Sequence, residues 1–129
     1  MIDEKTREKI LKPDFAPVQL FPNLDKSRIL AVCSELIDVW PEQAFHVWCH
    51  HHNLKANDIA DLVDAKNKAY GNAVFEPCPF FTNLPPEATI RILLRNKATR
   101  ILKGGEYPGD DDIKDFAGYL YLFAALQYA

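Results

Sequence analysis

The chain lacks the motifs by which several common functional classes are recognised. It has only five glycines in 129 residues, and none stands in a GxGxxG, Walker-type or GxSxG motif, which excludes the familiar phosphate loops and nucleophile elbow. Its three cysteines form no CxxC pair, so we expect reduced thiols and not a disulfide framework. No apolar run approaches the roughly 18 residues of a membrane span. The N-terminus is charged and has no apolar core of a secretory signal.

A strong charge of one sign is also lacking. The formal net charge is −3, so the overall field does not attract nucleic acid, and a phosphate site would need a local basic cluster. Hydrophobic residues make up 48% and charged residues 26%, which is typical of a globular chain. We therefore expect residues 1–129 to form one domain without a membrane partner, located in the cytoplasm.

Helical periodicity predicts an all-α fold, a compact bundle of about five to six helices. The predicted helix starts share a capping side chain or a proline at the first position: Asp3, Asp25 or Ser27, Pro41, Asn57, Pro86 and Asp110. Gly71 and Gly104 stand where the fourth and fifth helices would end. Residues 12–24 contain three prolines between apolar residues and predict an extended strap over the core. Residues 72–86 predict a loop.

Two lysines fall on apolar helix faces. On helix 58–70, a helical wheel puts Lys66 at the centre of the apolar face, and on helix 86–103 Lys97 falls among inward-facing residues. Burying an unpaired ammonium costs on the order of several kcal/mol. Each lysine therefore needs an acidic partner, an anionic ligand, or a path along its stem to water.

Charged pairs on the last two helices add candidate ligands. Arg91 and Arg95 are four residues apart, a spacing that can clamp phosphate oxygens, although a solvated basic face explains it equally well. Asp112 and Asp115 lie on one side of the last helix, at a spacing that can hold Mg²⁺. Asp111 precedes them, and an acid there is also explained by the helix N-terminus alone.

Two further clusters are explained without a ligand. Asp61 and Asp64 lie opposite the apolar face of their helix, so solvent exposure is expected unless that face meets another helix or a second subunit. His46 and His50 have a spacing that can bind Zn²⁺. No second ligand pair is evident, and a solvated helix end explains them as well.

Three segments, in order, resemble the phage and bacterial nucleotide-modification-associated domain family. Residues 66–73, KNKAYGNA, resemble its K-N-x-x-Y-G-x-A segment. Residues 91–100 resemble its basic helix, and residues 111–119 resemble its acidic closing helix. The resemblance covers residues 57–129, and residues 1–56 lie outside it.

The resemblance implies a protein that handles nucleotides, located in the cytoplasm of a host cell if a phage encodes it. The family is in turn similar to the all-α nucleoside triphosphate pyrophosphohydrolases of the MazG and dimeric dUTPase type, which bind Mg²⁺ around a triphosphate and commonly dimerise. Their EExxE motif is absent here, and only Asp112-x-x-Asp115 resembles their closing ExxD. In a nucleotide site of this kind, the phosphates would be bound by Lys66, Arg91, Arg95 and Lys97. The base or sugar would contact Asn67 or Tyr70. The metal would be bound by Asp112 and Asp115 with Asp111.

Two alternatives stay open beside a nucleotide-binding or Mg²⁺-dependent hydrolytic protein. The Trp, Phe and Pro content of the N-terminal half would suit a non-enzymatic protein that binds a host or phage partner. The other alternative is a structural domain that oligomerises through apolar faces. A nucleotide site predicts that Lys66, Lys97 and Asp115 surround one cleft, whereas a structural domain predicts direct lysine–aspartate pairs with no cavity beside them.

Overall fold

Six α-helices and one short 3₁₀ helix make up most of the residues that the structure describes. The computed structural model describes residues 2–12, 23–76, 80–81, 83–105, 108–109 and 111–128. The helices are α1 (Glu4–Leu11), α2 (Lys26–Val39), α3 (Pro41–His51), α4 (Ala56–Ala69), α5 (Pro86–Lys103) and α6 (Asp112–Leu126), and Ala73–Phe75 is the 3₁₀ helix. None of these residues lies in a strand. The predicted all-α bundle is thus confirmed.

Most of the predicted helix ends are confirmed. The Asp3 carboxylate accepts a hydrogen bond from the Thr6 amide at 2.7 Å, and Asp25, not Ser27, caps α2. Pro41 and Pro86 occupy first helical positions, where a missing N–H costs nothing. Gly104 ends α5 with φ of 76°, a left-handed conformation that glycine adopts without strain.

Two predicted caps were misplaced. Helix α4 begins two residues earlier than expected, at Ala56 after Lys55, so Asn57 lies inside its first turn and is not the N-cap. Asp111 caps α6 by accepting a hydrogen bond from the Lys114 amide at 3.0 Å, while Asp110 lies outside the described residues. Residues 13–22 of the predicted strap also lie outside them.

Helix α6 is the centre of the bundle and packs against each of the other five helices. Ten of its fifteen residues are buried, so it is apolar on nearly all sides, as a central helix must be. Trp48 of α3 packs on Phe116 with ring centroids 4.2 Å apart, and its indole N–H donates to the Ile113 carbonyl at 2.9 Å. The apolar surface of α6 is therefore used within the chain.

No helix in the described part of the chain combines the length and the apolar character that crossing a bilayer requires.

The buried face of α4 differs from the face that the helical wheel predicted. Ile59, Ala60 and Val63 are buried, but Leu62, Tyr70 and Lys66 are not. The predicted apolar face included Leu62 and Tyr70 and did not include Ala60. The inward face is centred on Ala60 and Val63, and Lys66 lies at its edge.

Two histidines, His46 of α3 and His52 directly after it, make stability depend on pH. His46 Nε2 lies 2.6 Å from the Ile10 carbonyl, and His52 Nδ1 lies 2.9 Å from the Trp48 carbonyl. Burial lowers the pKa of both rings below the ordinary value of 6.5. The unfolded chain therefore takes up protons first as the pH falls below about 6.5, and the free energy of unfolding decreases.

We expect the H46Q/H52Q variant to lose less stability than the native chain between pH 7 and pH 5. Each histidine contributes at most about 1.4 kcal/mol per pH unit between its two pKa values. Urea unfolding at both pH values measures the difference. The control is H50Q, which changes an exposed histidine of the same helix. An effect equal to that of H46Q/H52Q would contradict the assignment to the two half-buried rings.

Candidate functional site

A groove of about 270 Å³ lies between α4 and α6, beside the 3₁₀ helix. Its apolar lining consists of Ile59, Leu62, Val63, Val74, Gly118 and Leu122. Its polar lining consists of Lys66, Asn67, Tyr70, Lys114, Asp115 and Tyr119. A small apolar concavity with a few convergent polar groups is the usual form of a ligand site, and we call it the α4–α6 groove.

Gly118 allows the two helices to approach closely at the base of the groove. A Cβ placed there would lie 3.1 Å from Val63 Cγ2, closer than ordinary van der Waals contact. The β-branched Val63 has little rotamer freedom with which to move aside. The close approach at Gly118 thus fixes the spacing of α4 and α6 along the groove.

Replacing Gly118 by alanine should destabilise the fold by about 1–2 kcal/mol, because overpacking outweighs the gain in helix propensity. Val63→Ala in the same chain should recover part of the loss, since it removes the methyl group that the new Cβ meets. Chemical unfolding of the two single variants and the double variant measures this. Strictly additive effects would contradict the proposed contact.

An ion cluster behind the groove holds Asp115 in place. Lys97 Nζ lies 2.9 Å from Asp115 Oδ2 and 3.3 Å from Asp112 Oδ1, and Arg100 also reaches Asp112 Oδ1 at 3.3 Å. Burial lowers the pKa of Lys97, but its hydrogen bonds to Asp115 and Asp112 outweigh burial, so the pKa is raised. Two cations thus balance two carboxylates.

The two lysines that line the groove are not balanced in this way. Among the residues that the structure describes, no carboxylate lies within salt-bridge distance of Lys66 or Lys114. Since Lys97 already neutralises Asp115, the groove keeps two positive charges. An anionic group at its edge would therefore be attracted.

Asn67 adds an unsatisfied donor. Its Nδ2 is buried and has no acceptor in the described part of the chain, and the side chain lines the groove. A buried donor without a partner costs about 1–3 kcal/mol. A ligand oxygen or ring nitrogen in the groove would remove that cost.

No family model, curated protein or solved structure matches this chain. The resemblance to the nucleotide-modification-associated family and to the MazG-type enzymes therefore stays a prediction.

The structure divides the predicted phosphate and base ligands between two places. Lys66, Asn67 and Tyr70 line the α4–α6 groove together with Asp115. Lys97 is inward-facing, as predicted, but its ammonium pairs with the carboxylates of α6. Neither predicted arrangement holds in full: Lys97 does not line the groove, and its direct pair with Asp115 lies beside a cavity.

Arg91 and Arg95 line a different cavity, between α2, α5 and α6. Arg91 forms a short ion pair with Asp38 and a longer one, at 3.5 Å, with Glu87. These two arginines therefore do not join Lys66 around one ligand.

The three predicted metal ligands already have other contacts. Asp111 caps α6, and Lys97 lies between Asp112 and Asp115. Asp112 is 1% exposed, and its Oδ2 has no hydrogen-bond partner among the described residues. The arrangement of Asp112 and Asp115 does not fit a bound Mg²⁺, because the ion would have to displace the Lys97 ammonium.

The other two clusters also have structural roles. Arg7 of α1 donates to Asp61 at 2.6 Å and to Asp64 at 2.7 Å, so the α4 face predicted to be solvated meets another helix there. His46 contacts the Ile10 carbonyl, while His50 is exposed. No group of three or more potential metal ligands occurs in the part of the chain that the structure describes.

The sequence reasoning missed Lys114 and Gly118 as groove residues. With Leu122 they recur every four residues along α6 and thus share one helix face. That spacing was visible in the sequence. The signal was weak because α6 is apolar on nearly every side, so no single face is distinguished by hydrophobicity.

Proposed function

We propose that this protein binds a nucleotide in the α4–α6 groove, with the base and sugar inside and the phosphates at the edge. The observation that carries the proposal is the charge balance: Asp115 is neutralised by Lys97, while Lys66 and Lys114 have no carboxylate partner among the described residues. Each lysine can donate charge-assisted hydrogen bonds to phosphate oxygens.

The size and lining of the groove suit a planar aromatic group attached to the phosphates. Its volume of about 270 Å³ is near the lower end of the roughly 300–1,000 Å³ of small-molecule sites, which suits a nucleoside and leaves the phosphates outside. Tyr119, half-buried, and Tyr70, exposed, supply aromatic faces on which a base can stack. Asn67 offers its unsatisfied N–H to an acceptor on the base or sugar.

Binding is the part of the predicted activity that the geometry supports best. Mg²⁺-assisted hydrolysis, as the resemblance implies, carries a further requirement, since Lys97 would have to leave Asp112 and Asp115 before they could hold a metal. A magnesium ion that reaches the groove as the counter-ion of the phosphates needs no such change.

A panel of nucleoside triphosphates, their nucleosides and inorganic triphosphate, each with and without Mg²⁺, tests the proposal by thermal shift. A ligand at 100 times its Kd should stabilise the fold by about 2.7 kcal/mol. We expect nucleotides to stabilise more than triphosphate or nucleoside alone. Failure of every nucleotide would refute the proposal, and release of pyrophosphate with Mg²⁺ would establish the hydrolytic form.

A protein partner is the second candidate, and it rests on exposed aromatic residues. Phe80 is 72% exposed and Phe81 108% exposed, and neighbouring apolar side chains of this kind often mark an interaction surface. The F80S/F81S variant separates the two functions, because nucleotide binding in the groove should survive it.

A further inference from the structure

A second cavity of about 170 Å³ opens between α2, α5 and α6. Six buried side chains form most of its wall: Leu30, Cys33, Ile37, Leu94, Phe116 and Leu120. Burial raises the pKa of the Cys33 thiol to about 12, so the thiol stays protonated and contributes an apolar surface. We call this cavity the arginine slot because Arg91 and Arg95 also line it.

The two arginines contribute differently. Arg91 pairs with Asp38 and Glu87, and its guanidinium lies over the Phe123 ring, 4.9 Å from the centroid. Arg95, one turn further along α5, is exposed and forms no ion pair with any residue that the structure describes. The slot therefore combines apolar walls with one uncompensated guanidinium.

We propose that the arginine slot binds a small organic carboxylate that carries one apolar group of about the size of a benzene ring. An apolar protein cavity of roughly 150 Å³ holds benzene, so the slot fits a single ring and is too small for a nucleoside. The planar guanidinium of Arg95 matches a carboxylate through two parallel hydrogen bonds.

The proposal is independent of nucleotide binding, because the slot shares no lining residue with the α4–α6 groove. Two substitutions test the charged part and the apolar part of the slot separately. Arg95→Leu removes the free cation at an exposed position, and Ala98→Leu extends an isobutyl group from α5 into the slot.

Calorimetric titration with benzoate tests the proposal, with benzyl alcohol and acetate as probes that lack the charge or the ring. We expect benzoate to bind the native chain at least tenfold more tightly than either. Arg95→Leu should weaken benzoate by at least tenfold, Ala98→Leu should abolish binding, and the exposed control Arg28→Leu should change nothing.

Three outcomes would overturn the proposal: no benzoate binding to the native chain, equal binding by Ala98→Leu, or equal binding of benzyl alcohol. The K66M/K114M variant, altered only in the groove, should still bind benzoate. Loss of benzoate binding in this variant would mean that benzoate occupies the α4–α6 groove, which would also overturn the proposal.

Discussion

Replacing Lys97 by methionine should destabilise the protein by about 3 kcal/mol, because it removes one of the two cations that contact the buried carboxylate of Asp112. Asp112 is 1% exposed, and in the variant only Arg100 would still reach it among the contacts that the structure describes. The lost ammonium also frees Asp115 at the edge of the groove. Chemical unfolding of the native and variant chains measures the loss.

Two controls distinguish this electrostatic effect from lost packing. Lys103→Met changes an exposed lysine on the same helix and should alter stability by no more than about 0.5 kcal/mol. Adding Asp112→Asn to Lys97→Met should restore part of the stability, because the unpaired charge is then gone. A Lys97→Met variant as stable as Lys103→Met would show that the ion cluster contributes little.

Replacing both Lys66 and Lys114 by methionine should abolish most nucleotide binding without changing the fold. A hydrogen bond to a charged group is worth about 1.5–3 kcal/mol, so each lysine should account for at least about a tenfold change in Kd. Both side chains are exposed, and stability should stay within about 0.5 kcal/mol of the native value.

The matched control carries the same change in net charge elsewhere. Lys55 and Lys103 are exposed and line none of the cavities described above, so K55M/K103M should bind nucleotides as the native chain does. Equal losses in the two double variants would mean that overall charge, and not the groove, attracts the ligand.

The fold was predictable largely because its helix ends follow local rules. Asp3, Pro41 and Gly104 act within a few residues of their own positions, so the sequence alone indicated where α1, α3 and α5 begin or end. Helix α4 was the exception, since it starts after Lys55 without a side-chain cap. Ala56 at that start packs against the hydrophobic core, and tertiary packing of this kind leaves no local signal in the sequence.

The site was less predictable because its charges depend on neighbours that are distant in sequence. The wheel correctly placed Lys97 on the inward face, but it could not show that one ammonium reaches both Asp112 and Asp115. Nor could it show that Arg91 of α5 contacts Asp38 of α2, which is 53 residues away in the chain. Which helix lies beside which is a property of the assembled bundle.

A nucleotide titration followed by amide chemical shifts in NMR spectra tests the central claim most directly. If the groove binds nucleotides, the largest changes should fall on the amides of Asn67, Asp115 and Gly118, and K66M/K114M should remove them. Changes confined to the amides around Arg95, or no changes at millimolar nucleotide, would contradict it.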